Sequence, residues 1–189
     1  MVKPLKTEMI SYRKLKSTEL KMLSQIDRSE VIRVGYEVSE GKLVRKKVKW
    51  DAPNFFQSGD GEHSVSKQIE FCNGHLARNA ISIGAFDENC LVGIGLLTPN
   101  IRSEMAQLAY LQVSRSHRRR RIASEITQQL LQEARSQRAR YVYVSATPSE
   151  SAVGFYQSFG FEVIEEPLPE LYELEPEDVH MILELEPTM

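Results

Sequence analysis

A chain of 189 residues, 41% hydrophobic and 26% charged, has room for one domain with a substantial core and is too short for two. No apolar run approaches the roughly 20 residues of a membrane-spanning helix, and the opening MVKPLKTEM lacks the apolar stretch of a signal peptide, so a cytoplasmic protein is the expectation. Net charge is only −2, but all 24 Lys and Arg lie in residues 1–140 against 15 acidic residues, whereas residues 141–189 hold 11 acidic residues and no basic one. Halves of +9 and −11 suit chemically different ligands, an anionic cofactor on one side and a cationic acceptor on the other.

Residues 7–16 alternate loosely and predict a first strand. Ser17 then stands as a natural N-cap before a helix with Leu20, Leu23 and Ile26 on one face. Residues 31–48 predict a β-hairpin: Val34, Tyr36 and Val38 alternate, Glu40-Gly41 supplies the turn, and Leu43 to Val48 returns. A Pro/Gly-rich loop occupies residues 51–61, and Val65, Ile69, Cys72 and Leu76 follow at amphipathic helical spacing.

Apolar runs at 80–86, 90–97 and 106–113, with turn signals at Asp87-Glu88-Asn89 and Pro99-Asn100, predict an antiparallel meander. Next come a helix carrying Ile126, Leu130, Leu131 and Ala134 on one stripe, a strand at 141–146 and a helix at 150–158. Strands at 161–165 and 179–185 complete a mixed α/β layer structure with a partly antiparallel sheet.

Cys72 and Cys90 form no CxxC pair and read as small core residues, so neither a disulfide framework nor a zinc site is expected. His63, His75, His117 and His180 are scattered, and none is read as a metal ligand.

The informative passage is LAYLQVSRSHRRRRIASEITQQLL. A buried strand ends at Val113, a polar turn holding His117 to Arg121 follows, and a helix begins near Ile122-Ala123. Unpartnered amides and the positive end of the helix make such a turn an anion site, suited to a pyrophosphate, and the small Ala123 lets a ligand approach the first helical turn.

This passage resembles the GNAT acetyltransferases, whose signature is a strand ending in Val, a turn, then Arg/Gln-x-x-Gly-x-Gly/Ala opening a helix. Val113, Arg118 and Ala123 match, and Arg121 replaces the central Gly. The second motif, Asn-x-x-Ala-x-x-x-Tyr-x-x-x-Gly-Phe, is matched by Ala152, Tyr156, Gly160 and Phe161, with Ser149 in place of Asn. The residues around Ile26 to Glu30 and the Trp50-Asp51 corner look like a subgroup of that family without a defined substrate.

The resemblance implies a GNAT fold, α/β (α+β): a mixed, mostly antiparallel central sheet splayed at the CoA site and flanked by helices. It implies one domain over 1–189, with 1–79 on the acceptor side and 80–186 as the CoA-binding core. Acetyl-CoA is the implied cosubstrate and a small-molecule or peptide amine the acceptor, in a monomer or homodimer.

By the same resemblance the strands ending at Leu97 and Val113 splay to admit the pantetheine arm. Leu111, Gln112 and Val113 would meet that arm, and the Val113 amide would polarise the thioester carbonyl. The turn residues Arg118, Arg119, Arg120, Arg121, Ile122, Ala123 and Ser124 would hold the pyrophosphate, and Ser149, Ala152 and Tyr156 would line the thiol end. Tyr156, as a phenol that ordinarily titrates near pH ~10, is the acid for the departing thiolate.

The strand at 106–113 holds no Asp or Glu. A water relayed by Gln107 or Tyr110, or a carboxylate from Glu30 or Asp27, remains as the base. Two rival functions are a nucleic-acid-binding module built on Arg118–Arg121, disfavoured by the acidic C-terminal third, and a catalytically silent acyl-CoA-binding sensor or scaffold.

Overall fold

The structure, a computed structural model, describes residues 9–186. In chain order the elements are β1 (Ile10–Lys14), β2 (Glu30–Ser39), β3 (Lys42–Ala52), α1 (Val65–Leu76), β4 (Ile81–Asp87), β5 (Cys90–Arg102) and β6 (Met105–Val113). There follow α2 (Ile122–Ser136), β7 (Tyr141–Ala146), α3 (Glu150–Ser158), β8 (Glu162–Val163), α4 (Pro169–Tyr172) and β9 (Val179–Glu184). Seven strands form one sheet in the order β1-β4-β5-β6-β7-β9-β8, antiparallel except where β6 meets β7. β2 and β3 form a separate two-stranded sheet.

Each face of the large sheet carries its own core. Ile126, Leu130, Leu131 and Ala134 of α2 and Val153 of α3 pack with Ile83, Val92, Leu108, Val142 and Val144 on one face. On the other, Leu20, Leu23, Val65 and Cys72 pack with Phe86, Leu91, Ile94, Leu96 and Tyr110. With both faces covered, the central strands read as continuous apolar runs rather than alternating ones.

Gly95 sets how closely α2 lies on the sheet, because a Cβ there would sit 2.5 Å from Ile126 Cγ2 and 2.9 Å from Leu130 Cδ1. Gly95→Val should cost about 3 kcal/mol in a urea titration, since the displaced atoms belong to a packed core with no slack. A loss below about 1 kcal/mol would mean that α2 is free to lift.

Several sequence expectations change. The first strand is shorter than 7–16, and its residues 7 and 8, like the rest of the opening MVKPLKTE, lie outside the described residues. Ser17 opens a 3-10 helix, Ser17–Gln25, instead of capping an α-helix; the Lys16 N–H donates to Glu19 Oε2 at 2.9 Å, and Glu19 is held by Arg13. The hairpin turns at Glu40-Gly41, both at positive φ, and runs longer than 31–48.

Pro99-Asn100 is not a turn: β5 passes through it, its pairing with β6 interrupted between Thr98 and Arg102, and the chain reverses at Ser103-Glu104. The strand expected at 161–165 shrinks to two residues. Cys90 is exposed beside the β4–β5 turn, whereas Cys72 is buried as expected. Among the described residues no helix is long and apolar enough to cross a membrane, and no His/Cys/Asp/Glu group is placed to hold a metal.

Candidate active site

The opening in the sheet lies between β6 and β7, not between the strands ending at Leu97 and Val113. β5 and β6 stay paired from Gly93↔Val113 to Thr98↔Gln107 and meet again at Arg102↔Met105, whereas β6 and β7 pair only at Met105↔Tyr141, Ala106↔Val142 and Gln107↔Tyr143. Beyond Gln107 the two strands part. The register jumps from Leu97↔Leu108 to Leu96↔Tyr110, so Ala109 is the extra residue of a bulge two positions past the last pair. A bulge sharpens the local twist, which turns the end of β6 away from β7.

Main-chain groups face this gap. The Ser114 N–H bonds to Val92 O at 2.8 Å, so Ser114 points toward β5. Antiparallel strands alternate, so the amides and carbonyls of Leu111 and Val113 point away from β5 into the opening, where they lack a strand partner. Gln112 lies on the same side-chain face as Tyr110, across from Leu111.

A strap crosses the open end. Asp27 N–H donates to Ser114 Oγ at 3.1 Å and Arg115 N–H to Asp27 O at 2.7 Å, which fixes the strap at the end of β6. At the far side Tyr36 N–H donates to Pro148 O at 2.9 Å and Gly35 bridges Ser149, just past the end of β7. Gly35 permits that approach, because a Cβ there would lie 3.1 Å from Pro148 O. Residues 27–36 thus close the V formed by β6 and β7.

The turn after β6 is a 3-10 turn, Arg115–His117, followed by Arg119 and Arg121 at φ 62° each. Arg121 in the left-handed region explains why a Gly serves at this point of the motif; the arginine keeps that backbone with its side chain exposed. The left-handed residues aim successive amides outward, and the amides of Ile122, Ala123 and Ser124 open α2 without intrahelical partners.

Not every cation of the turn faces that space. His117 bonds Asp87 Oδ2 at 3.0 Å. Arg118 turns inward, donating to Val113 O at 3.2 Å and Arg28 O at 2.8 Å, with Glu30 at 3.5 Å. Arg119, Arg120 and Arg121 are exposed.

The second motif has a plain structural meaning. Ser149 caps α3, its Oγ accepting from Ala152 N–H at 3.2 Å, so a serine serves where the motif has Asn. Gly160 at φ 89° ends the helix, letting Phe161 N–H return to Tyr156 O and its ring lie 5.4 Å from that of Tyr156. Tyr156 is buried and stays a protonated phenol at neutral pH, because burial, and then the carboxylates of Asp178 and Glu175, raise its pKa.

The residues named as bases scatter. Glu30 accepts from Ser151 Oγ at 2.6 Å and faces Arg118, while Asp27 is held below the usual carboxylate range by hydrogen bonds from Ser29. Tyr110 donates to Gln68 Oε1 at 2.8 Å on the α1 side, and burial raises its pKa well above normal. Gln107 is buried at the vertex of the V, lining a cleft of ≈ 430 Å³ with Arg78, Asn79, Thr98, Glu170 and Leu171.

One cluster was not foreseen from the sequence. Tyr143, Ser145, His180, Glu175 and Asp178 gather where β7 and β9 meet. Burial raises Glu175, and raises Asp178 to about 7 with help from Glu175, while burial lowers His180. The hint in the sequence was a histidine inside the apolar run VHMIL.

A mixed sheet opened between two parallel strands and flanked by helices is the architecture of the GNAT acetyltransferases. The sequence matches the model of the Acetyltransferase (GNAT) family over residues 46–161, more than half the chain, and the chain belongs to that family. Among solved structures it is similar to a nourseothricin acetyltransferase at TM-score 0.69 and 13% identity, covering 93% of this chain and 98% of that one. The PaiA N-acetyltransferase of Thermoplasma acidophilum in complex with coenzyme A gives TM-score 0.61 at 15% identity, covering 94% and 99%. The ribosomal-protein-S18-alanine N-acetyltransferase of Escherichia coli gives 0.60 at 14%, covering 96% and 97%. Identities this low carry the fold alone. No curated protein matches the sequence.

Proposed function

We propose that the chain is an N-acetyltransferase that moves the acetyl group of acetyl-CoA to a primary amine by direct attack in a ternary complex. The observation that carries this is the parting of β6 and β7 after Gln107, with the Leu111 and Val113 main-chain groups facing the gap. An extended pantetheine arm satisfies the Leu111 groups and the Val113 amide as a missing strand would, the Val113 carbonyl being held by Arg118. In this reading the Val113 amide polarises the thioester carbonyl, and the amides from Arg119 to Ser124 take the pyrophosphate. Tyr156, beneath the α3 cap formed by Ser149 and Ala152, protonates the thiolate.

The chain acts as one domain, with residues 1–79 forming the acceptor side and 80–186 the cofactor core. Acidic residues concentrated in 162–186 favour a cationic acceptor, and we take the cytoplasm as its place of action. The test is release of free thiol from acetyl-CoA across peptides, polyamines, aminoglycosides and amino acids. Amine-dependent release with acetylated product supports the proposal. Binding of acetyl-CoA with no release for any amine would instead support a silent acyl-CoA sensor.

A further inference from the structure

We propose that Glu175, held beside Ser145 on the acceptor side of the β6–β7 opening, takes the proton from the incoming ammonium, with His180 and Tyr143 as its positioning residues. This rests on the acetyl-transfer reading above.

The placement follows from register. Tyr143 and Ser145 share one face of β7, and Gln107, the parallel partner of Tyr143, faces the same way. Ser145 is the next residue on that face beyond the last β6–β7 pair, so it stands at the vertex of the opening. Its Oγ lies 3.3 Å from His180 Nδ1, and the nearby hydroxyl favours the charged form of Glu175 against the effect of burial. Glu175 N–H bonds to Leu171 O at 3.0 Å, which places Glu175 one helical turn past a residue that lines the Gln107 cleft.

His180 fixes this arrangement. Its Nε2 lies 3.1 Å from Glu175 O, and a carbonyl can only accept, so Nε2 carries the proton. Nδ1 is then an acceptor for the Tyr143 hydroxyl at 2.7 Å, and the same hydroxyl oxygen accepts from Leu168 N–H at 3.3 Å. Two bonds from the sheet thereby pin both ends of the segment 168–175. His180 stays neutral because burial lowers its pKa, so it orients Glu175 without competing for the proton.

The other carboxylates fit the task less well. Glu30 is engaged by Arg118 and Ser151, and Asp27 by Ser29. The titratable and charged groups around Glu175 are Tyr156 of α3, Asp178 just before β9, His180 of β9, Tyr143 of β7, and Glu170 of α4, itself tied to Arg102 of β5. Burial raises the proton affinity of Glu175, and burial with the Glu175 charge raises that of Asp178, which suits a pair that accepts protons.

The protons balance. The ammonium gives one proton to Glu175, the free amine forms the C–N bond, and collapse of the adduct breaks C–S. Tyr156 protonates the departing thiolate. The nitrogen's second proton passes to the pair, which reprotonates Tyr156 and releases the remaining proton to water.

The experiment compares wild type, Glu175→Gln and the exposed neighbour Glu177→Gln, using an amine that the wild type acetylates. At pH 7, Glu175→Gln should lower kcat/KM about a hundredfold, and the deficit should shrink as pH rises toward the amine's own pKa. CoA affinity and Tm should be unchanged, and Glu177→Gln should match wild type. Wild-type activity should fall as pH drops through the raised pKa of Glu175, because Glu175 must be deprotonated to act. In carboxyl ¹³C titrations without CoA, Asp178 should titrate at lower pH once Glu175 is neutralised. A wild-type rate and pH profile in Glu175→Gln would overturn the inference, as would an equal loss at every pH with a lowered Tm. A wild type inert toward every amine would overturn the acetyl-transfer reading, and this inference with it.

Discussion

Tyr156→Phe should lower turnover about a hundredfold while leaving the affinity for acetyl-CoA unchanged. General acids contribute about 10²–10⁴-fold, and a thiolate, conjugate to a group with pKa about 8.5, is a good enough leaving group to place the effect near the lower end. The substitution is clean because the ring is held by Phe155 and Phe161, at 5.3 and 5.4 Å between centroids, and both contacts survive in phenylalanine. Single-turnover measurements, in which chemistry limits the rate, are the check. Unaltered turnover there would remove Tyr156 from the mechanism.

Ala123→Glu should weaken CoA binding about a hundredfold, or about 2.8 kcal/mol. A carboxylate about 4 Å from a phosphate at the edge of the protein costs on the order of 4 kcal/mol, partly relieved by the exposed Arg119 and Arg121. The fold should survive, since Ala123 is the second residue of α2 and an acidic side chain is favourable at a helix N-terminus. Calorimetry with CoA, alongside thermal unfolding, separates the two effects. An unchanged dissociation constant would place the pyrophosphate elsewhere.

What could be seen in the sequence was local. Ala152, Tyr156, Gly160 and Phe161 form one helix with its own stop signal, so their spacing carries most of their geometry. The turn after Val113 was legible for the same reason, although the inward turn of Arg118 depends on the carbonyl of Arg28, 90 residues away.

What escaped was long-range. Pro99-Asn100 has the chemistry of a turn, yet here it sits in the irregular stretch between Thr98 and Arg102. No local pattern marks Ala109 as a bulge, because the extra residue exists only relative to β5. The strap of residues 27–36 reads as an ordinary hairpin strand until its bonds to Ser114 and Pro148 are seen. The acidic C-terminal segment has the composition of a solvated loop, but the bonds made by Tyr143 and His180 draw Glu175 against the sheet.

The proposed mechanism depends above all on the gap between β6 and β7 receiving the CoA arm and on the turn before α2 receiving its pyrophosphate. The most direct measurement is a CoA titration followed through the backbone amide resonances. Saturable shifts at Leu111, Val113 and Arg119 to Ser124, with β1 and the tip of the β2–β3 hairpin unmoved, are the predicted result. Saturable binding that leaves Leu111 and Val113 unshifted, or no binding at all, would contradict it.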